Sequence, residues 1–149
     1  MASRGRPYRT LRVAGFEVLV GRSDEDNDRL TFEVADPQDF WLHVVGVPGS
    51  HVVVRNPEAL PALPRPVLEQ VAALAAWHSK ARGAGRVEVH VCRVADVRKP
   101  RGAPAGEVSL RRWNGVRVRP ALPPRDESTT PDRRRAASAG CDDPDAPAD

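Results

Sequence analysis

Asp39-Phe40-Trp41-Leu42-His43 and Pro48-Gly49-Ser50-His51 are the stretches of this sequence whose residue types and spacing could do chemistry. Alternation along a strand puts Asp39, Trp41 and His43 on one face and Phe40, Leu42 and Val44 on the other. A carboxylate, an indole and an imidazole then stand beside a glycine turn carrying a hydroxyl and a second imidazole. One reading is a ligand site, with the indole stacking and the imidazole and hydroxyl hydrogen bonding. The other is a structural network, in which Asp39 and Ser50 bond turn amides and a histidine packs. A hydrolase built on Asp39, His43, Ser50 and His51 is a weaker alternative, because there is no G-x-S-x-G and an antiparallel turn offers no evident oxyanion hole. His43, His51, His78, His90 and Cys92 are the potential metal ligands. Only His90 and Cys92 share a strand face at close spacing, and neither CxxC nor HExxH occurs, so no metal, cofactor or catalytic residue is expected.

The second chemical signal is charge. Residues 93–119 carry eight basic side chains (Arg93, Arg98, Lys99, Arg101, Arg111, Arg112, Arg117 and Arg119) against Asp96 and Glu107. Lys99-Pro100-Arg101-Gly102-Ala103-Pro104-Ala105-Gly106 is a basic loop without bulky side chains, whose backbone could approach a phosphate chain. It lacks the following lysine and helix of a nucleotide-binding phosphate loop. Arg4, Arg6, Arg9 and Arg12 add a basic entry segment with no acid among them. Gathered on one face these side chains would form a nucleic-acid footprint; dispersed, they are a solvated basic surface. The aromatic-rich strand of an RNA-recognition sheet is absent.

Composition limits the partner classes. The chain has 149 residues and a net charge of +3, but residues 1–120 carry +6 and residues 121–149 carry −3. An anionic partner should therefore meet the periodic part of the chain. Arginine outnumbers lysine 21 to 2; this suits bidentate phosphate contact and equally suits GC-rich coding. No apolar run approaches the roughly 18 residues of a membrane span, and the N-terminus lacks a secretory apolar stretch. Cys92 and Cys141 lie 49 positions apart, the second in a polar tail, so no disulfide framework is expected and a reducing cytoplasm is the better assignment.

These residues have to be positioned by elements. Tyr8–Val13 and Phe16–Gly21 read as a strand pair around Ala14-Gly15. Ser23-Asp24-Glu25-Asp26 offers an N-cap and first-turn acids for a short helix or a helical turn running into a strand. Phe40–Val45 and His51–Arg55 are β-rich runs flanking a Gly-Pro-Gly turn. Residues 66–82 have one apolar helical face, with proline at the start and Gly83 beyond the end. Residues 86–94 alternate as a half-buried strand, and Val97–Pro100 reads as its continuation. Glu107–Leu110 and Val116–Arg119 look like a hairpin around Asn114-Gly115. The sum is an α+β domain with a mainly antiparallel sheet, one long helix over about 66–82 and a short helical segment. Residues 1–8 are expected to be flexible, 9–120 to fold, and 121–149 to be a disordered tail with no large apolar residue after Leu122.

In this order the residues resemble the NFACT-R family, the RNA-binding module of proteins acting in ribosome-associated quality control. The matching stretches are Gly15-Phe16, Val20-Gly21-Arg22, Asn27-Asp28 and Leu30-Thr31; then Asp39-x-Trp41-Leu42-His43 and Pro48-Gly49-Ser50-His51-Val52. They continue through Ala72-Ala73-x-Ala75-Ala76, Ser79-x-Ala81-Arg82, Val97-Arg98-Lys99-Pro100-x-Gly102-Ala103, Gly106 and Val118-x-Pro120. The resemblance spans about residues 9–120. It implies non-catalytic binding of structured RNA (tRNA or rRNA), with the large ribosomal subunit and DNA as further candidate partners and no membrane. It also implies one surface built from Arg22, Asn27, Trp41, His43, Ser50, His51, Arg98, Lys99 and Arg101 as RNA contacts. Pro48, Gly49, Gly102 and Gly106 would serve as turn residues. The chain looks like a stand-alone module, without the enzyme-like, helix-hairpin-helix and coiled-coil parts of full-length members. A DNA-binding or protein–protein adaptor using the same basic face is the competing assignment.

Overall fold

The computed structural model describes residues 8–123. Strands β1 (Tyr8–Val13) and β2 (Phe16–Gly21) form the expected hairpin, paired from Tyr8↔Gly21 to Val13↔Phe16. Ala14 and Gly15 both take positive φ, the twist that lets a two-residue turn join antiparallel strands. Helix α1 (Asp24–Arg29) starts where Ser23 Oγ accepts the Asp26 amide. The chain then continues helically as a π-turn over Leu30–Val34, not as a strand. Leu30 and Thr31 are buried in that turn, so its apolar residues reach the core from a helical segment.

Strands β3 (Phe40–Val44), β4 (Val52–Val54), β5 (Val87–Arg93) and β8 (Asn114–Val118) complete a six-stranded sheet. Its order is β1-β2-β4-β3-β5-β8, and every pairing is antiparallel. Helix α2 (Arg65–Trp77) packs Val67, Val71, Leu74 and its alanines onto one sheet face, against Val18, Phe40, Leu42, Val54, Val89 and Val116. The alanines let helix and sheet approach closely. The opposite face holds Leu19, Trp41, Val53 and Cys92 and is covered by Leu30, Val94 and Val97. A small second sheet, β6 (Val97–Arg98) with β7 (Ser109–Leu110), lies beside it.

Two sequence expectations fail for identifiable reasons. The long helix ends at Trp77, five residues before the expected Arg82. The His78 carbonyl accepts the Ser50 amide and the Lys80 amide donates to the Pro48 carbonyl, which takes both groups out of helical pairing. Ser79 Oγ donates to the Ala76 carbonyl and accepts the Ala81 amide, finishing the turn. The Asn114-Gly115 hairpin does not form either: both residues lie inside β8, opposite Val91 and His90. β7 pairs instead with β6, and the Arg111 amide extends that ladder to the Asp96 carbonyl while its guanidinium grips Asp96 Oδ1. Cys92 is a buried free thiol, and Cys141 lies outside the described residues.

Tyr8 is already in β1, and the Ala121 amide still donates to the Ala73 carbonyl of α2. Of the segments expected to be flexible (1–8) and disordered (121–149), residues 1–7 and 124–149 lie outside the described residues. Among the described residues no helix is long and apolar enough to cross a membrane.

Candidate nucleic-acid interface

The motif residues from four separate stretches meet around one buried histidine. His51 is 1% exposed at the entrance to β4. Its amide donates to Asn27 Oδ1, while Asn27 Nδ2 donates to the Gly49 carbonyl, so one buried asparagine holds both sides of the 48–51 turn to α1. His51 Nε2 lies 3.3 Å from the Gly106 carbonyl, which can only accept, so Nε2 carries the proton. Nδ1 is then an acceptor for the Thr31 hydroxyl at 2.9 Å, and Thr31 Oγ1 in turn accepts the Trp41 indole N–H. This neutral arrangement agrees with burial, which together with the neighbouring His43 pushes the His51 pKa down to about 3.

The basic loop is fastened to the same centre. Asp28 accepts the Gly106 amide at Oδ1 and pairs with Lys99 Nζ at Oδ2, 2.9 Å away. Lys99 also donates to the carbonyls of Pro104 and Glu107. The loop consists of two successive tight turns, Pro100–Ala103 and Pro104–Glu107, closed by backbone bonds. Gly102 and Gly106 take φ +79° and +85° at their third positions, where a side chain would be strained. Gly49 has a different reason: a Cβ there would come within 2.7 Å of Ser79 Cβ.

Several sequence-derived contacts therefore sit inside the wall of the site and not on its surface. Trp41 is 2% exposed and Asn27 3%, so neither presents a face to a base. Lys99 is committed to the loop it closes. Replacing Lys99 with methionine should lower the melting temperature by several degrees, because Asp28 and two carbonyls lose one shared donor, at about 1–2 kcal/mol. Arg101→Ala should leave it unchanged, since Arg101 is exposed and free of protein partners among the described residues. Differential scanning fluorimetry on both variants separates the two roles.

Asp39 also leaves the cluster to which sequence alternation assigned it. Its carboxylate accepts the amides of Asp36 and Asn56 and pairs with Arg55 Nε at 3.0 Å, tying together the chain on either side of β3 and β4. No relay from Asp39 through a histidine to Ser50 is assembled, and both His51 nitrogens are already occupied. Among the described residues no group of three or more His, Cys, Asp or Glu side chains is arranged to hold a metal ion.

What remains open on this side are two concavities. One, of about 470 Å³, has Trp41, His43, His51 and His90 along its floor, with Val45–Pro48 and Gly106–Val108 as walls. His43 is half-buried, stacks on Trp41 at 5.9 Å and meets the His51 ring edge-on at 5.3 Å. Burial holds the His43 pKa below its ordinary value.

The other, of about 380 Å³, is lined by Arg22, Asn27, Pro48–Ser50, His78, Lys80 and Arg82, with Asp24 the single carboxylate. Arg22 and Lys80 are exposed, and no side-chain partner holds either among the described residues. Arg82 is pre-positioned by its Nε–H donating to the Trp77 carbonyl and by its guanidinium 4.4 Å over the Trp77 ring. Burial, reinforced by the Arg9 and Arg82 cations, holds the His78 pKa below its ordinary value.

Lys80, Arg82 and His78 are the functional candidates that charge counting missed. They fall in a stretch read as helix end, and only the early stop of α2 turns them toward the 48–50 turn. Of the eight basic residues in 93–119, Arg93, Arg98, Lys99 and Arg111 bond protein oxygens, leaving Arg101, Arg112, Arg117 and Arg119 exposed without such bonds.

Comparison with known proteins adds three findings. Residues 7–112 match the family model described as the NFACT protein RNA binding domain. The chain is 36% identical over 108 residues to the Rqc2 homolog RqcH of Bacillus subtilis, covering 72% of this chain and 18% of that protein. It is likewise 36% identical over 118 residues to RqcH of Streptococcus suis, covering 78% of this chain and 21% of the relative. The chain thus spans about a fifth of the length of these curated relatives. Among solved structures, the C-terminal part of the fibronectin/fibrinogen-binding protein from Streptococcus suis superposes with a TM-score of 0.71 at 35% identity. That match covers 79% of this chain and 47% of the other.

Proposed function

Because the chain belongs to the family of NFACT RNA-binding domains, we propose that it is a non-catalytic binder of structured RNA, tRNA or rRNA, acting in the cytoplasm in ribosome-associated quality control. The observation that carries this reading is the hollow in which Arg22, Lys80 and Arg82 converge on the Pro48–Ser50 turn with one opposing carboxylate. Guanidinium and ammonium groups without competing ion pairs suit phosphates, whose neutralisation releases condensed counterions. Ser50 and the rim of the His43 cleft supply neutral hydrogen-bonding groups beside that charge. Arg98 and Arg101 extend the basic surface along the loop. In this reading Asn27, Trp41, His51 and Lys99 act by holding the turn and loop in place, and Pro48, Gly49, Gly102 and Gly106 by shaping their backbones.

The names of the RqcH relatives motivate the ribosomal setting, and it extends here only to the share of those proteins that this domain represents. Competition of tRNA, rRNA fragments and duplex DNA for a labelled hairpin RNA at fixed salt tests the assignment. The RNAs should displace the probe at concentrations at least tenfold below those of DNA, with affinity falling steeply as salt rises. Equal displacement by DNA would favour the DNA-binding adaptor instead.

A further inference from the structure

Trp113 is half exposed, at 50% of its surface, one position beyond the span matched to the family. It is the largest apolar side chain left in solvent among the described residues, and it meets the His90 ring in a tilted contact, centroids 5.2 Å apart. Beside it opens a concavity of about 550 Å³ between the start of α2 and the β5–β8 edge. Among the cations lining this space, Arg65 pairs with Glu69 at 2.9 Å and Arg93 is bonded to the Leu60 and Pro61 carbonyls, whereas Arg112 has no partner among the described residues. The one carboxylate there, Asp96, is already paired with Arg111. An open indole beside the unpaired Arg112 guanidinium is complementary to a stacked base carrying a flanking phosphate.

We propose that Trp113 is a stacking platform for an unpaired nucleobase, with Arg112 receiving the phosphate beside it. This site is distinct from the Arg22/Lys80/Arg82 hollow, which lies toward the other end of α2, roughly 20 Å away along a 13-residue helix. The proposal rests on the RNA-binding reading and adds to it a preference for RNA with unpaired nucleotides. Duplex RNA hides its base faces and cannot use the indole.

The test compares binding of the full chain to a hairpin RNA with an unpaired loop and to a fully paired RNA duplex of equal length, at one salt concentration. Trp113→Ala should weaken hairpin binding roughly tenfold and leave duplex binding and the salt slope unchanged. Trp113→Phe should retain most of the hairpin affinity, because a ring still stacks. Unchanged melting temperatures would confirm that both variants fold. Equal affinity of Trp113→Ala and wild type for the hairpin, or equal losses on hairpin and duplex, would overturn the stacking site while leaving the RNA-binding reading intact. Failure of the wild type to bind either RNA would overturn both.

Discussion

Replacing Arg22, Lys80 and Arg82 together with alanine should weaken RNA binding on the order of 100- to 500-fold at 0.1 M salt and flatten the salt dependence by about 2 to 3 units. Each phosphate neutralised contributes a slope of about 0.7–0.9 in log affinity against log salt, which at 0.1 M corresponds to roughly five- to eightfold per contact. Three contacts multiply to the stated range. The loss should be nearly the same for every RNA, since phosphate contacts position without reading sequence. Folding should be little affected. Arg22 and Lys80 are exposed and unbonded among the described residues, and Arg82 gives up one surface carbonyl bond and its position over Trp77. Salt titrations monitored by fluorescence anisotropy provide the slope. The Arg98→Ala/Arg101→Ala pair is the informative control, because it removes exposed cations from the loop and spares the Lys99 clamp. If that pair flattens the slope and the triple variant does not, the RNA lies along the loop and not in the hollow.

Acid should destabilise this domain as soon as the pH falls below the ordinary histidine range. His51 is held neutral in the fold with its pKa near 3, against an ordinary value of 6.5. Between those values the unfolded chain binds a proton that the folded chain does not, so stability is full above about pH 6.5 and falls as the pH drops below it. Each pH unit in that window removes about 1.4 kcal/mol for one such histidine. From pH 7 to pH 5 the expected loss from His51 is about 2 kcal/mol, or roughly 6–10 °C in melting temperature for a domain of this size. His43 and His78 are shifted in the same direction and steepen the fall. His51→Gln should melt lower than wild type at pH 7, because the contacts to Thr31 and Gly106 are disturbed. Its melting temperature should also change less between pH 7 and pH 5. An equal pH dependence in the two proteins would show that His51 accepts a proton within the fold.

Much of the fold was legible along the chain because it depends on local rules. Period-two alternation marked β1, β2, β3 and β5 to within a residue or two. The Ser23 cap announced α1, and proline with an apolar face announced the start of α2. The order of motifs was enough to recognise the family, since collinear spacing is itself a property of the sequence. What local rules misjudged were the places where a distant partner competes for the same backbone groups. Asn114-Gly115 is a favourable turn pair, yet β5 offers it a strand ladder, and β7 is taken as a partner by β6, with Asp96 holding Arg111. Residues 78–82 continue a helical pattern, yet the Pro48 carbonyl and Ser50 amide capture their backbone.

The same division runs through the site. Sequence alone determined which residue types are present and that a basic surface accompanies the Trp41, His43 and His51 motif. It could not tell contact from support, because that depends on burial. Burial is set by which elements pack over a residue, and those come from positions 20 to 78 residues away, as with Thr31 and His51 or Asp28 and Gly106. Only the tertiary structure turned Trp41 and Asn27 inward, spent Lys99 on its own loop, and brought Lys80 and Arg82 beside Arg22. Side-chain charge is written in the chain, whereas its availability to a ligand is decided by the three-dimensional competition for hydrogen-bond partners and solvent.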